Sequence, residues 1–257
     1  MISEWLADTE VGASVAFVLA HPDDEYFCLP LIAAEVTGGR TVSIAYLTDG
    51  GPHALIRERE SLSVLASAGV SPSRVTFAGR ERGWRDGGLH LHVAEARDWL
   101  ATWLASLAGC VRIYVTAYEG GHHDHDCCFG ALASLQRDAR TGGARCLQFP
   151  LYTGRSLPGA LFKCMSAIPE NGAHSSLRLS TREGAHYWRM AAAYPSQWKS
   201  FIALGPAAMP AYLGRRSIEV QPVEAARLQT APHAGRPYFE RRFRVPGHTV
   251  LEAIRRL

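Results

Sequence analysis

Lysine is nearly absent from this chain: Lys163 and Lys199 are the only two, so arginine supplies almost all of the 27 positive charges. Against 24 acidic residues the formal net charge is only +3. A surface that neutralises many phosphates needs far more, which argues against nucleic acid as a partner. Long hydrophobic runs are also missing. No apolar stretch approaches the roughly 18 residues of a membrane span, and the opening MISEWLADTE has three acids and no basic run, unlike a signal peptide. The six cysteines contain no CxxC pair, and Cys127 and Cys128 are adjacent, an arrangement that suits reduced thiols of a cytoplasm better than a disulfide framework. A redox or metal-storage use of that adjacent pair is weaker than simple packing in a helix. Repeats, linkers and low-complexity tracts are absent too. What remains, 47% hydrophobic and 20% charged, is the composition of a globular domain.

Short apolar runs alternate with helical patterns. VAFVLA (15–20) and TVSIAYL (41–47) read as strands buried on both faces, with a helix from about Glu25 to Gly38 between them. A helix over about 55–68, a short strand RVTFAG, a helix HVAEARDWLATWLASLA, a strand CVRIYVTA (110–117), a helix CCFGALASLQRDA and a strand ARCLQFPLY continue the series. Such β-α-β-α order predicts an α/β fold, a Rossmann-like doubly wound and mostly parallel sheet with helices on both faces. The pattern decays after about residue 150. One domain over 1–257 is expected, with a core over 14–150 and a C-terminal part, 151–257, of loops and helices that shapes a pocket. There SSLRLS reads as a strand, GAHYWRMAAAY and SQWKSFIAL as helices, and the arginine-rich end (RPYFERRFRV, IRRL) as a solvated face.

Open parallel sheets bind ligands outside the carboxyl ends of their strands where strand order reverses, which in a 3-2-1-4 order lies between the first and fourth strands. The most polar loops of the chain follow those two strands: Ala20-His21-Pro22-Asp23-Asp24-Glu25 and Glu119-Gly120-Gly121-His122-His123-Asp124-His125-Asp126. A phosphate site would want glycines in the first loop; three consecutive carboxylates repel phosphate and suit a divalent cation instead. Adjacent side chains diverge, so one of Asp23 and Asp24 should ligate while the other faces the attacking water. Taken alone, the first loop could equally be a capped helix start. Three histidines within four residues on the second loop tip the balance toward a metal.

AHPDDE after the first strand, Thr48-Asp49-Gly50 after the second, Arg57 and Glu60 on the next helix, and His122-x-Asp124-His125 after the fourth make the chain resemble the N-acetylglucosaminyl-phosphatidylinositol de-N-acetylases, the PIG-L or LmbE-like family, over about 14–150. The resemblance implies a zinc-dependent hydrolase, another divalent metal being possible, that removes acetyl from an amino sugar or glycoconjugate. By motif it makes His21, Asp24 and His125 the metal ligands, Asp23 the general base and His122 the group that stabilises the tetrahedral intermediate, in protonated form. Arg57 and Asp86 match residues that meet substrate. Asp124 either orients a neighbouring group or is a surface carboxylate. The chain departs from the family pattern at His123, where a proline is usual, and at Gly120 and Gly121, where some members have a tyrosine; Tyr118 would have to reach in from further back. Alternatives are an amidase on another amide, such as a thiol conjugate, or a sugar- or nucleotide-binding module without chemistry. Trp188, Trp198, Tyr187, Tyr194 and Tyr212 could stack on a sugar, though packing is their commoner role.

Overall fold

The computed structural model describes residues 11–257; the opening decapeptide, on which the reading against a signal peptide rests, lies outside them. The chain runs β1 (Ser14–Leu19), α1 (Glu25–Thr37), β2 (Thr41–Tyr46), α2 (Ala54–Ser67), β3 (Val75–Thr76), α3 (Ala78–Arg82), α4 (Val93–Ser106), β4 (Cys110–Thr116), α5 (His123–Arg137) and β5 (Arg145–Phe149). Then come β6 (Tyr152–Thr153), β7 (Lys163–Cys164), β8 (Ser175–Arg178), α6 (Thr181–Arg189), α7 (Trp198–Met209), β9 (Ser217–Pro222), α8 (Tyr238–Arg242) and α9 (Gly247–Arg255). The main sheet has the order β3-β2-β1-β4-β5-β9-β8. Its first five strands in the chain are parallel, and β9 is antiparallel to both β5 and β8.

The unbroken apolar run of β1 follows from this architecture. Val15, Phe17 and Leu19 enter one core while Ala16, Val18 and Ala20 enter the other, because successive side chains of a strand face opposite sides and both sides are covered by helices. On the second side, α9 closes tightly on α5: a Cβ on Gly130 would stand 2.9 Å from Ile254. No described helix is long and apolar enough to cross a membrane.

Several expectations are corrected. The third strand shrinks to two residues. Helix α5 begins at His123 rather than Cys127, because acidic Asp124 and Asp126 suit the positive end of a helix. Strand β9 (SIEVQP) was not anticipated, although Ile218 and Val220 alternate with Ser217, Glu219 and Gln221 as a strand's residues do. The arginine-rich end is no simple solvated face. Tyr238, Phe239, Val250 and Ile254 are buried, and the Arg241 guanidinium donates to the carbonyls of Gly154 (2.9 Å) and Leu157 (2.6 Å), pinning the loop after β6.

Candidate active site and metal centre

The loops leaving β1 and β4 meet as the topology requires. The first folds on itself: Asp24 Oδ2 accepts the backbone N–H groups of Ala20 (3.0 Å) and His21 (2.8 Å), which turns Oδ1 toward His125 Nε2 at 3.1 Å. His21 lies between carboxylates. Its Nε2 is 3.1 Å from Asp124 Oδ2 and 3.3 Å from Asp86 Oδ1, and its Nδ1 is 3.5 Å from Asp24 Oδ2. His21, Asp24 and His125 each offer an atom within 4.8 Å of the others, and all are buried. Two imidazoles and a carboxylate form a donor set that zinc accepts. Asp124 holds the second ring nitrogen of His21, as carboxylates commonly do for a metal-binding histidine. The three residues therefore fit a divalent metal.

Asp23 sits beside this triad in a conformation that side chains avoid, with φ at +120°. Its backbone N–H donates to Glu25 Oε2 (2.9 Å), and Arg57 Nη2 holds its Oδ2 at 3.0 Å. Glu25 in turn is anchored by the hydroxyls of Tyr46 (2.8 Å) and Tyr194 (2.9 Å). Glu25, the third carboxylate of the motif, is thus a buried strut under Asp23. Arg57 also donates to Pro22 O (2.9 Å), Gly50 O (2.8 Å) and Asp86 Oδ2 (3.1 Å), so its first task is to hold Asp23 and Asp86. Glu60 accepts from the N–H (2.8 Å) and hydroxyl (2.6 Å) of Ser196, tying α2 to the start of α7.

Electrostatics sorts these groups. Burial pushes Asp23 up to about 7 despite Arg57. Burial works the same way on Asp24, but His125 and His21 outweigh it and hold that carboxyl well below its usual range. Burial alone would lower His21; Asp86, Asp24 and the bond to Asp124 raise it well above an ordinary histidine. Asp86 and Asp124 are held low against their burial by His21. Burial and the neighbouring imidazoles keep His122 well below its ordinary value. Its Nδ1 accepts the Asp124 N–H (3.2 Å) as the cap of α5. With Nδ1 so occupied, the atom His122 can turn toward the cavity as a donor is Nε2.

The cavity holds about 190 Å³ and is lined by His21, Asp23, Asp24, Arg57, Asp86, His122 and His125, with Phe27, Tyr152, Gln197, Ser200, Phe201, Leu204 and Phe243 closing it. Every residue assigned a ligand, base or substrate role from sequence reaches it. Asp124 is completely buried behind it, not on the surface. His123 is also buried; it stacks on His122 at 4.5 Å and its Nε2 lies 2.7 Å from Gly87 O, which makes it a tie between loops. Tyr118 does not reach in: its hydroxyl donates to Thr230 O and its ring stacks on Phe129. Tyr152 takes the aromatic place beside His125 at 5.6 Å. Gly121 permits that approach, since any Cβ there would stand 1.8 Å from Tyr152 O.

None of the five aromatics proposed for stacking lines the cavity. Tyr194 and Tyr212 are core residues, and Trp198 is 56% exposed outside it. Sequence reasoning missed Tyr152, Phe201 and Phe243. Tyr152 was within reach, because it lies just beyond the carboxyl end of β5, next to β4.

Residues 16–135 match the model of the PIG-L family, described as GlcNAc-PI de-N-acetylase. No curated protein sequence matches the chain. Among solved structures, a deacetylase triple mutant of the teicoplanin biosynthetic pathway superposes with a TM-score of 0.61 at 16% identity, over 82% of this chain and 97% of its own. The zinc-inhibited form of a teicoplanin deacetylase gives 0.59 at 14%, over 82% and 97%. The N,N'-diacetylchitobiose deacetylase of Pyrococcus horikoshii gives 0.57 at 14%, over 91% and 94%. At such identities the likeness speaks for the fold, a mostly parallel sheet flanked by helices.

Proposed function

Residues 16–135 form a PIG-L family domain, and from that premise we propose that the chain is a divalent-metal-dependent N-deacetylase of an amino sugar or small glycoconjugate. The observation that carries this reading is the convergence of His21, Asp24 and His125 on the floor of the cavity, with Asp23 beside them but directed to Arg57. His21, Asp24 and His125 would hold the metal. A zinc ion bound there supplies a Lewis acid that polarises an amide carbonyl and makes water a stronger nucleophile at neutral pH.

The chain's own groups do the rest. Asp23, steadied by Arg57, takes a proton from the attacking water and later returns it to the departing amine. His122 directs Nε2–H at the carbonyl oxygen, where charge gathers as the carbon becomes tetrahedral; a donor so placed is worth about 3 kcal/mol. Asp124 fixes the tautomer of His21. The acetyl–nitrogen bond breaks to give acetate and the free amine. Arg57 and Asp86 border the space where sugar hydroxyls would lie, and charge-assisted bonds suit that contact. All six cysteines are free, which supports a reducing, cytoplasmic setting. Acetate release from a panel of N-acetylated amino sugars, by metal-loaded and by chelator-treated protein, tests the reading. Release that requires the metal is the expected result. No release from any of them, together with cleavage of a larger amide, would move the assignment to an amidase.

A further inference from the structure

A second set of metal donors lies behind the cavity. His90, His123 and Asp124 each offer an atom within 4.8 Å of the others. They are two imidazoles and a carboxylate, the same donor types as His21, Asp24 and His125. The local geometry repeats as well. His125 turns Nε2 to Asp24 Oδ1, and its buried Nδ1 has no hydrogen-bond partner among the described residues. His123 turns Nε2 to Asp124 Oδ1, at 3.7 Å, and its Nδ1 is likewise buried and unpartnered. Tetrahedral donors about 2.1 Å from a zinc ion stand roughly 3.4 Å from one another, so this separation is near the one an ion would set. Gly87 O borders the same gap, 2.7 Å from His123 Nε2. The ring of His90 approaches that of His123 at 5.4 Å and 69°, and its own Nδ1 is buried without a partner among the described residues. Neither imidazole is committed at both nitrogens, so each can take the tautomer that presents a lone pair. Asp124 also has capacity left: Oδ2 accepts from His21 and Gly87, but Oδ1 accepts the Leu89 N–H alone, and a carboxylate oxygen has two acceptor sites.

We propose that His90, His123 and Asp124 form a second site for a divalent d-block cation such as zinc or cobalt, separate from the deacetylase centre and one carboxylate away from it. Imidazole nitrogens select such ions over magnesium, which prefers a shell of oxygens. Unpartnered buried nitrogens are uncommon enough to need an account, and a cation gives these rings one. The site goes beyond the deacetylase reading and does not depend on the substrate. It joins the loop that carries Asp86 to the start of α5, beside His122 and His125, so an ion there clamps two walls of the cavity together. His90 is only half-buried, which gives the ion a way in.

Zinc titration of the full chain after chelator treatment, read by competition with a chromophoric chelator and by metal analysis, tests this. Wild type should bind two equivalents. His90→Ala and His123→Pro should each bind one, and so should Asp24→Ala, which keeps the other site. Cobalt added to Asp24→Ala should give the visible absorption of a tetrahedral ion, and the further change His90→Ala should abolish it. Zinc beyond the first equivalent should raise the Tm of wild type but not of His90→Ala. A single equivalent in wild type that disappears in Asp24→Ala overturns the second site and leaves the deacetylase centre standing. A single equivalent that survives Asp24→Ala but not His90→Ala keeps the second site and sinks the first. A second equivalent that persists in both His90→Ala and His123→Pro, or one held more weakly than about 0.1 mM, is binding to surface histidines and overturns the proposal.

Discussion

Replacing Asp124 separates orientation of a ligand from stability of the loop that bears it. Its two oxygens serve three donors: Oδ2 accepts from His21 Nε2 (3.1 Å) and the Gly87 N–H (2.6 Å), and Oδ1 from the Leu89 N–H (3.0 Å). Asparagine keeps the shape but must place an NH2 group where one oxygen stood. Turned toward Leu89 it faces one backbone donor; turned the other way it faces two. The first orientation wins, so Asp124→Asn should lose about 1–3 kcal/mol of stability for one unsatisfied buried donor while His21 keeps its acceptor and zinc affinity falls less than about tenfold. Alanine leaves the two backbone donors unpaired and leaves His21 Nε2 with Asp86 Oδ1 alone, at 3.3 Å. Asp124→Ala should lose roughly 3–5 kcal/mol and about 10- to 100-fold in zinc affinity, the usual effect of removing such a carboxylate. Competition with a chromophoric chelator measures the affinity, and urea unfolding of metal-free protein the stability. Unchanged zinc affinity in Asp124→Ala would refute the idea that this carboxylate holds His21 for a metal.

Asp23→Ala should retain metal and lose most turnover, whereas Asp24→Ala should lose both; metal analysis showing the opposite pattern would exchange their roles. His122→Ala should lower kcat about 100- to 1000-fold at unchanged metal content. His123→Pro, at a first helical position where proline is tolerated, should lower it less than about tenfold, and equal losses would put His123 into the reaction. Glu119 gives a pH test. Burial pushes its carboxyl from 4.5 up to about 8, so the folded chain holds a proton that the unfolded chain has released between those values. Its contribution to stability therefore falls as pH rises through that window. Glu119→Gln keeps the acceptor for the Leu151 and Tyr152 N–H groups without titrating. Its Tm should match the wild type near pH 4.5, gain on it up to about pH 8 and level off above; a gap independent of pH would contradict the buried-acid account.

How much of this was legible in the sequence follows from what each residue answers to. The runs of β1, β2 and β4 are apolar because both faces are covered, so strand, sheet order and crossing point could be read together. The loop residues His21, Asp24, His122 and His125 could be read as well, since polar residues at strand ends have few other reasons to cluster. Distant partners were not legible. Asp124 resembles any helix-start acid until Gly87 and Leu89, both far along the chain, are seen to point at it. That Arg57 also holds the carbonyls of Pro22 and Gly50 could not be read from its place in the motif. Phe243 lies in an arginine-rich stretch whose composition suggests solvent, yet Arg241 uses its charge on loop carbonyls and leaves the ring over the cavity. Strand β9 carries the alternation of a strand in Ile218 and Val220, but that it pairs with β5 could not be read from it.

That pairing of β9 with β5 also orders events during synthesis. The strands and loops that carry His21, Asp24 and His125 leave the ribosome first, and the edge of β5 then waits through the stretch from β6 to α7, which brings Tyr152 and Phe201 to the cavity, before β9 appears. At about 5–20 residues per second this is an interval of several seconds in which a nearly complete sheet shows an unpaired edge, the kind of surface on which chains associate wrongly. A nascent chain stalled in that interval would present its imidazoles and carboxylates already gathered beside an open flank, so control of metal exposure and of aggregation would fall in the same stretch of translation.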